Sequence, residues 1–195
     1  VSHDLRNPLN VATGRLELAA EECDSDHLDR IERALDRMEA LIADLLTLAR
    51  DGREVADTQR VDLAAMIDGC WENVASNEAV VTTRLDRDVR ADRSRLKQVF
   101  ENLLRNAVEH GGGDVTVTVG ELDDGFYIED DGPGIPSGER DGIFEAGYSR
   151  SSDGAGLGLS IVEQIVTAHN WQIRVTDAPD GGARFEITDV EFVTP

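Results

Sequence analysis

Apolar residues in the first 50 positions recur at alternating spacings of three and four, the heptad pattern of helices that pack side by side. The pattern stops at the polar stretch Glu21–Asp26 and then resumes. We therefore predict a helix, a turn and a second helix over residues 1–50. The apolar positions are Leu5, Leu9, Ala12, Leu16, Ala19, Leu28, Ile31, Leu35, Met38, Ile42, Leu45 and Ala49.

Two helices of this length bury too little apolar surface to be stable by themselves. We therefore expect two copies of the chain to associate through residues 1–50 as a four-helix bundle. The alternative is a hairpin within one chain that packs on the second domain of the same molecule.

The pair Asp51-Gly52 ends this region with a helix C-cap signal, and helices and strands then alternate. This alternation is typical of an α+β sandwich with one sheet and helices on one face. We assign residues 1–52 to the helical hairpin and residues 53–195 to a second domain. The predicted helices are Val61–Ala75, Asp92–Glu109 and Leu157–His169, and the predicted strands are Val80–Leu85, Val115–Val119, Phe126–Asp130, and a closing hairpin of Gln172–Thr176 and Ala183–Val190.

The charge balance narrows the range of partners. The 195 residues include 19 Lys or Arg and 40 Asp or Glu, which gives a formal net charge of −21. Such a surface repels phosphate backbones and anionic lipid, so nucleic acid and membrane surfaces are poor expectations. Cys23 and Cys70 are isolated, which indicates neither a metal site nor a disulfide framework and favours a reduced, cytoplasmic environment.

Lys97 is the only lysine in the chain. An excess of carboxylates with almost no lysine is typical of proteins from salt-accumulating halophiles, where salt screens the repulsion between carboxylates. A GC-rich genome, which replaces lysine by arginine, is the alternative explanation.

The segment from His3 to Leu9 carries the first candidate chemistry. His3 lies off the apolar stripe and is expected to face solvent, with Asn7 one helical turn further on the same face. Asp4 can accept a proton from the imidazole, which makes the other ring nitrogen a better nucleophile. The run His3-Asp4-Leu5-Arg6-Asn7-Pro8-Leu9 resembles the phosphoacceptor motif, or H box, of sensor histidine kinases.

Asn102 and Asn106 lie one turn apart on a predicted helix, followed by Glu109 and His110. Amide oxygens are hard ligands that suit Mg²⁺, although buried amides on a helix are commonplace. The segment resembles the N box of the ATP-binding domain of the same family. That resemblance implies that the two asparagines hold Mg²⁺ and that Glu109 and His110 lie beside the nucleotide, with Glu109 where many relatives have a basic residue.

The run Asp130-Asp131-Gly132-Pro133-Gly134-Ile135 follows a predicted strand. A carboxylate there can accept from an exocyclic amine such as adenine N6, and glycines let the backbone approach a ligand. The alternative is an acidic turn. The run resembles the first glycine box of the family, which implies that Asp130 recognises adenine and that Gly132, Gly134 and Ile135 line the nucleotide.

The run Gly154-Ala155-Gly156-Leu157-Gly158 leads directly into a predicted helix. Backbone N–H groups at a glycine-rich helix N-terminus bind phosphate, helped by the helix dipole. The run resembles the second glycine box, and Phe144 fits the short F box before it. Residues 146–153 are then expected to form a short lid, in which Arg150 is placed to reach a γ-phosphate or is simply an exposed arginine.

These boxes occur in the family's order across essentially the whole chain. The resemblance implies a dimeric helical bundle followed by an ATP-binding domain of the histidine-kinase, gyrase and chaperone ATPase type. It implies ATP and Mg²⁺ as cofactors, transfer of the γ-phosphoryl to His3 with Asp4 as proton acceptor, and onward transfer to an aspartate of a response-regulator receiver domain. It further implies that Asn7 serves the reverse reaction on the regulator. We expect a cytoplasmic kinase core within a longer sensor protein that is attached to a membrane elsewhere.

Two other function classes share part of this pattern. ATP-hydrolysing relatives activate water with a glutamate four residues before the second N-box asparagine, where this chain has Asn102. A scaffold that only senses ATP is the other class, and Glu109 is the residue that favours it.

We expect the thermal midpoint of unfolding to rise substantially between low salt and molar KCl. The reason is that the Debye length falls to about 3 Å in 1 M salt, which screens the carboxylates from one another. Calorimetry across a KCl series measures the shift. A flat response would leave the GC-rich genome as the explanation of the missing lysines.

Overall fold

The computed structural model describes residues 57–74, 78–148 and 156–193, together with positions 9, 11–16, 18–19, 25, 27–28, 31, 35, 38 and 42. The chain divides into two compact units, Val1–Asp51 and Gly52–Pro195. Within the described residues, no helix is long and apolar enough to cross a membrane.

The described part of the first unit is helical on both sides of Ser25, as the heptad pattern predicts. Leu9, Leu16 and Leu35 are buried in one cluster, which Ala12, Leu28 and Ile42 complete. The apolar stripes of the two helical segments therefore face each other. Of the other predicted stripe positions, Ala19, Ile31 and Met38 are described, whereas Leu5, Leu45 and Ala49 lie outside the described residues.

Only some apolar residues of the second helical segment pack against the first segment. Ile31 and Met38, which alternate with Leu28 and Leu35 along the chain, remain 48% and 45% exposed. Val11 and Leu18 of the first segment are also exposed, at 65% and 54%. At the described positions, one copy of the hairpin thus leaves two pairs of apolar side chains in contact with water, and the members of each pair are seven residues apart.

The second unit is built from three helices and eight strands within the described residues. In chain order they are β1 (Gln59–Val61), α1 (Leu63–Val74), β2 (Val80–Arg84), β3 (Asp88–Ala91), α2 (Arg93–Gly111), β4 (Thr116–Leu122), β5 (Gly125–Asp130), α3 (Gly158–Ala168), β6 (Gln172–Asp177), β7 (Ala183–Thr188) and β8 (Phe192–Val193).

The larger sheet has five strands in the order β2-β4-β5-β7-β6. Strand β2 runs parallel to β4, and the other neighbours are antiparallel, including the predicted closing hairpin of β6 and β7. The helices pack on the apolar face of this sheet, where the ring of Phe100 on α2 lies 5.4 Å from that of Phe126 on β5. The predicted α+β sandwich is therefore confirmed.

The expectation of a single sheet is wrong. A second, three-stranded sheet has the order β1-β3-β8 in the described part of the chain. Val61 was predicted to begin a helix but ends strand β1 as a fully buried residue. The helix begins two residues later because the Asp62 carboxylate accepts a hydrogen bond from the Ala65 N–H, as an N-cap does. Strands of two to four residues carry too short an alternation to be recognised from sequence.

Helix α2 agrees closely with its prediction. The Asp92 carboxylate caps it by accepting from the Ser94 and Arg95 N–H groups at 2.9 and 3.1 Å. Its buried face contains the predicted apolar residues, which are Leu96, Val99, Phe100, Leu103, Leu104 and Ala107. This helix contacts both α1 and α3, so it forms the middle of the helical layer.

Candidate functional site

The middle of α2 presents a buried amide to the beginning of α3. The Asn102 side chain is only 5% exposed, and its Nδ2 receives no hydrogen-bond partner from the described residues. Its Oδ1 lies 3.4 Å from the place that a Cβ on Gly158 would occupy. A buried donor without an acceptor costs about 1–3 kcal/mol, so the Nδ2 group is suited to a ligand atom that accepts a hydrogen bond.

The start of α3 adds donors that have no acceptor among the described residues. Leu157 stands at the N-cap position and makes no side-chain capping hydrogen bond. The first intrahelical bond runs from the Ile161 N–H to the Leu157 carbonyl, so the amides of Gly158 to Ser160 precede the helical ladder. Such a terminus attracts anions through its N–H groups and its dipole.

The loop before α3 is closed at its base. The Gly147 N–H donates to the Gly156 carbonyl at 2.9 Å. Gly156 has φ +67°, and a Cβ there would lie 2.5 Å from the Tyr148 carbonyl oxygen. A glycine is therefore required where the chain enters the helix.

A second group of contacts surrounds the end of β5. One oxygen of Asp130, Oδ1, accepts from the Gly132 N–H at 3.0 Å and the Ala183 N–H at 3.2 Å. The other oxygen, Oδ2, receives no hydrogen bond from the described residues. Burial raises the pKa of Asp130, while the two backbone N–H groups and nearby His110 oppose the rise. Hydrogen bonds to Oδ1 thus fix the carboxylate, and Oδ2 can accept a hydrogen bond from a ligand.

Three backbone segments meet around Asp130 without room for side chains. Gly182 has φ +80°, and a Cβ on it would overlap the Asp130 carbonyl oxygen. A Cβ on Gly132 would lie 2.6 Å from the Gly111 Cα, at the end of α2. Gly134 has φ +71° and packs on the Gly182 carbonyl. The segment after β5, the β6–β7 turn and the end of α2 therefore form one corner.

Helix α2 connects the two groups. Asn102 of α2 lies beside Gly158. Gly111, nine residues further along the same helix, lies beside Gly132. Nine residues of α-helix rise about 14 Å. The open carboxylate and the unpaired amides therefore lie at opposite ends of an elongated site whose wall is the second half of α2.

Three of the other predicted site residues lie on the second half of α2 itself. Asn106 is half-buried one turn after Asn102, and Glu109 and His110 are exposed in the last turn of α2. The Ile135 carbonyl accepts from the Arg140 Nε at 3.0 Å, and Phe144 is half-buried beside the buried Ile143. His3, Asp4, Asn7, Arg150 and Gly154 lie outside the described residues.

Sequence reasoning missed Gly111, Gly182 and the Ala183 N–H. Gly182 belongs to the Asp180-Gly181-Gly182 run, which predicts a turn but does not show that this turn lies against Asp130. The Asp130–Ala183 hydrogen bond joins residues 53 positions apart, and no local pattern reports such a contact.

Two family models match parts of the chain. Residues 91–191 match the family of histidine kinase-, DNA gyrase B- and HSP90-like ATPases. Residues 1–54 match the His Kinase A (phospho-acceptor) domain.

Among curated proteins, the chain is 30% identical to the sensor histidine kinase CpxA of Escherichia coli K12 over 207 aligned positions. It is also 30% identical to sporulation kinase A of Bacillus subtilis. The alignments cover 96% of this chain but 45% and 33% of the relatives, so the chain spans less than half of their length.

Two solved structures extend the similarity to the fold. The mycobacterial sensor histidine kinase MprB is 32% identical, with a TM-score of 0.59 over 71% of this chain and 99% of that one. The structure of full-length ShkA in complex with AMPPNP is 26% identical, with a TM-score of 0.72 over 100% of this chain and 45% of that one.

We expect Gly182→Ala to lower the free energy of unfolding by about 1–3 kcal/mol or more, because the substitution adds a positive-φ penalty to an overlap with the Asp130 carbonyl. Urea unfolding measures the change. Gly138→Ala is the matched control, since a Cβ there meets nothing within 4 Å. Equal effects of the two variants would contradict the close packing of this corner.

Proposed function

Since the chain belongs to the sensor histidine kinases, we propose that it is the catalytic core of an ATP-dependent protein histidine kinase in a two-component system. In this proposal, the second unit binds ATP with Mg²⁺, and the γ-phosphoryl passes to His3 and then to an aspartate of a response regulator. The observation that carries it is the elongated site along α2, with an open carboxylate at one end and unpaired amides at the other.

The Asp130 end suits adenine. Its bonded oxygen fixes the carboxylate, so the free oxygen can accept from an exocyclic amine without first losing side-chain freedom. The glycines at 132, 134 and 182 keep side chains away from the corner and leave the backbone accessible. His110 lies close enough to influence the Asp130 charge and therefore stands beside the base.

The α3 end suits the phosphates. The amides of Gly158 to Ser160 and the Asn102 Nδ2 are donors that lack acceptors in the described residues, and phosphate oxygens are acceptors only. The amide oxygens of Asn102 and Asn106 suit Mg²⁺, which would neutralise phosphate charge. No group of three or more His, Cys, Asp or Glu side chains in the described ranges could hold a metal ion, so phosphate and water would complete its coordination.

The chemical step is an in-line displacement. A ring nitrogen of His3 forms a bond to the γ-phosphorus, the bond from that phosphorus to the β,γ-bridging oxygen breaks, and ADP leaves. The ring proton passes to Asp4. Positioning and charge neutralisation supply most of the catalysis in such a transfer.

The position of Asn102 favours phosphoryl transfer over ATP hydrolysis. Activation of water requires a group that takes a proton, and an amide cannot act as that base. A carboxylate at this position would also face the phosphates across Gly158.

We further propose that the first unit forms a homodimer through residues 1–50 and receives the regulator. Ile31 and Met38 are apolar, exposed and seven residues apart, which is the pattern of a seam covered by a second copy. Val11 and Leu18 have the same spacing on the other helical segment and offer an apolar stripe to a receiver domain. The acidic, lysine-poor composition supports a cytoplasm rich in salt, as in a halophilic archaeon.

The proposal is tested with radiolabelled ATP. His3→Gln should abolish phosphorylation and leave ATP affinity unchanged, whereas Asp130→Asn should weaken ATP binding by about 1.5–3 kcal/mol through loss of a charge-assisted hydrogen bond. The wild-type label should be acid-labile and base-stable. Asp131→Asn is the matched control, because that carboxylate accepts from the Thr116 N–H instead. Normal ATP binding by Asp130→Asn would show that the adenine site is misplaced.

We expect Asn7→Ala to separate the forward and reverse reactions. Autophosphorylation should stay within a few-fold of wild type, because neither the nucleophile nor the ATP site is changed. Dephosphorylation of the cognate regulator should fall about tenfold or more, on the order of 1.4 kcal/mol in the barrier, because the amide orients the attacking water. Both rates are measured on one preparation. A parallel fall of both would assign Asn7 to helix geometry, and no change in either would mean that the kinase works only forward.

A further inference from the structure

His169 joins the end of α3 to the beginning of α2. Its Nδ1 lies 2.8 Å from the Ile165 carbonyl oxygen, and its Nε2 accepts from the Asp92 N–H at 3.1 Å. A carbonyl accepts only and an N–H donates only, so the ring is neutral with its proton on Nδ1. Both nitrogens are thus committed, and the bond from Asp92 spans 77 positions of the chain.

This bond lies at the far end of the helix pair from the candidate phosphate site. His169 follows α3, whose first residue Gly158 meets Asn102 of α2, and Asp92 caps the start of α2. From Asp92 to Asn102 the rise is about 15 Å, and from Gly158 to His169 it is about 16 Å. The two antiparallel helices are therefore matched in length and meet at both ends, so a slide of α3 at one end displaces Gly158 at the other.

We propose that His169 is a pH-sensitive positioning residue, which sets the axial position of α3 against α2 and thereby the phosphate site some three helical turns away. Protonation of Nε2 would place an N–H opposite the Asp92 N–H, and two donors cannot bond to each other. The inference rests on the proposed nucleotide binding at Asn102 and Gly158.

Solvent reaches the ring from one side. A cavity of about 540 Å³ opens beside His169 and is lined by Asn170, Trp171 and three charged residues. The Trp171 ring, which also lines this cavity, lies against the imidazole with 4.7 Å between the ring centroids and a tilt of 32°. A proton can therefore reach a side chain that is otherwise held in place.

The charged groups around His169 come from three neighbouring elements. Asp92 and Arg95 lie at the start of α2, Arg90 lies on β3, and Asp189 and Glu191 follow β7.

Burial lowers the pKa of His169, and the charge of Arg95 lowers it further, while the bond to Ile165 and the charge of Asp92 oppose this shift. The ring is therefore neutral near pH 7. The neutral ring contributes fully to the stability of the fold above the ordinary histidine pKa of about 6.5. This contribution is lost as the pH falls through the lower pKa that His169 has in the folded chain.

Two substitutions at His169 in the full chain distinguish its hydrogen bond with Asp92 from its hydrogen bond with Ile165. Glutamine at this position can still accept from the Asp92 N–H through its side-chain oxygen but does not titrate. Asparagine is shorter and can reach only the Ile165 carbonyl. Affinity for Mg²⁺-ATP is measured for wild type, His169→Gln and His169→Asn at about pH 8 and about pH 5.5. His27→Gln, at an exposed histidine of the first unit, is the matched control.

We expect His169→Gln to bind Mg²⁺-ATP as tightly as wild type does at the higher pH and to lose less affinity on acidification. The ratio of the affinities at the two pH values should differ between wild type and His169→Gln by about threefold or more. His169→Asn should be weaker by about threefold or more at the higher pH. His27→Gln should follow wild type throughout. An identical pH response of wild type and His169→Gln, or wild-type affinity of His169→Asn, would overturn the inference.

A ¹⁵N titration of the imidazole gives a readout that does not need nucleotide. Signals of a neutral Nδ1-protonated ring that titrates below the ordinary histidine range support the proposal, and an Nε2-protonated or charged ring at pH 7 overturns it. Absence of ATP binding by wild type at the higher pH would refute the proposed function. Normal binding with an unchanged pH response of His169→Gln would refute only the role of His169.

Discussion

Burial of one face of α2 is the constraint on which the rest of the second unit depends. The helix packs against α1, α3 and the sheet through six apolar residues, and it carries Asn102 on the same buried surface. The Asn102 amide lies beside Gly158 at the start of α3, with Oδ1 3.4 Å from the place that a Cβ on that glycine would occupy. The same packing therefore stabilises the fold and keeps one donor unpaired at the place where a ligand is expected.

The elements that sequence predicts well are those whose patterns are long. Nineteen residues of α2 with a capping aspartate define their helix without help from the rest of the chain. Strands β1 and β3 are too short for an alternation to emerge, and their stability comes from pairing with each other and with β8. Asp130 was found from its position between a strand and glycines, but its two backbone partners depend on tertiary contacts. His169 had no signal beyond ending a helix, since its role is defined by Asp92, far away in the chain.

A protein with a net charge of −21 has to attract a triphosphate with few positive groups. Arg140 bonds to the Ile135 carbonyl and pairs with Asp177, so it holds the backbone instead of facing a ligand. In the proposed site, backbone N–H groups and amide side chains supply the attraction without adding charge. Their dipoles are less weakened by salt than a surface ion pair is, because they act at contact distance.

The hydrogen bond between Asp130 and Ala183 has a consequence for biosynthesis. Strand β7, which begins at Ala183, inserts between β5 and β6 in the sheet, although it is the last of the three to be made. A ribosome that has delivered β5 and α2 has therefore produced the carboxylate and the helix but neither Gly182 nor the N–H that fixes the carboxylate. The corner around Asp130 cannot take this form until the chain has grown 53 residues further, because the Ala183 N–H is part of it. If this corner binds adenine as we propose, nucleotide binding has to wait until the domain is nearly complete.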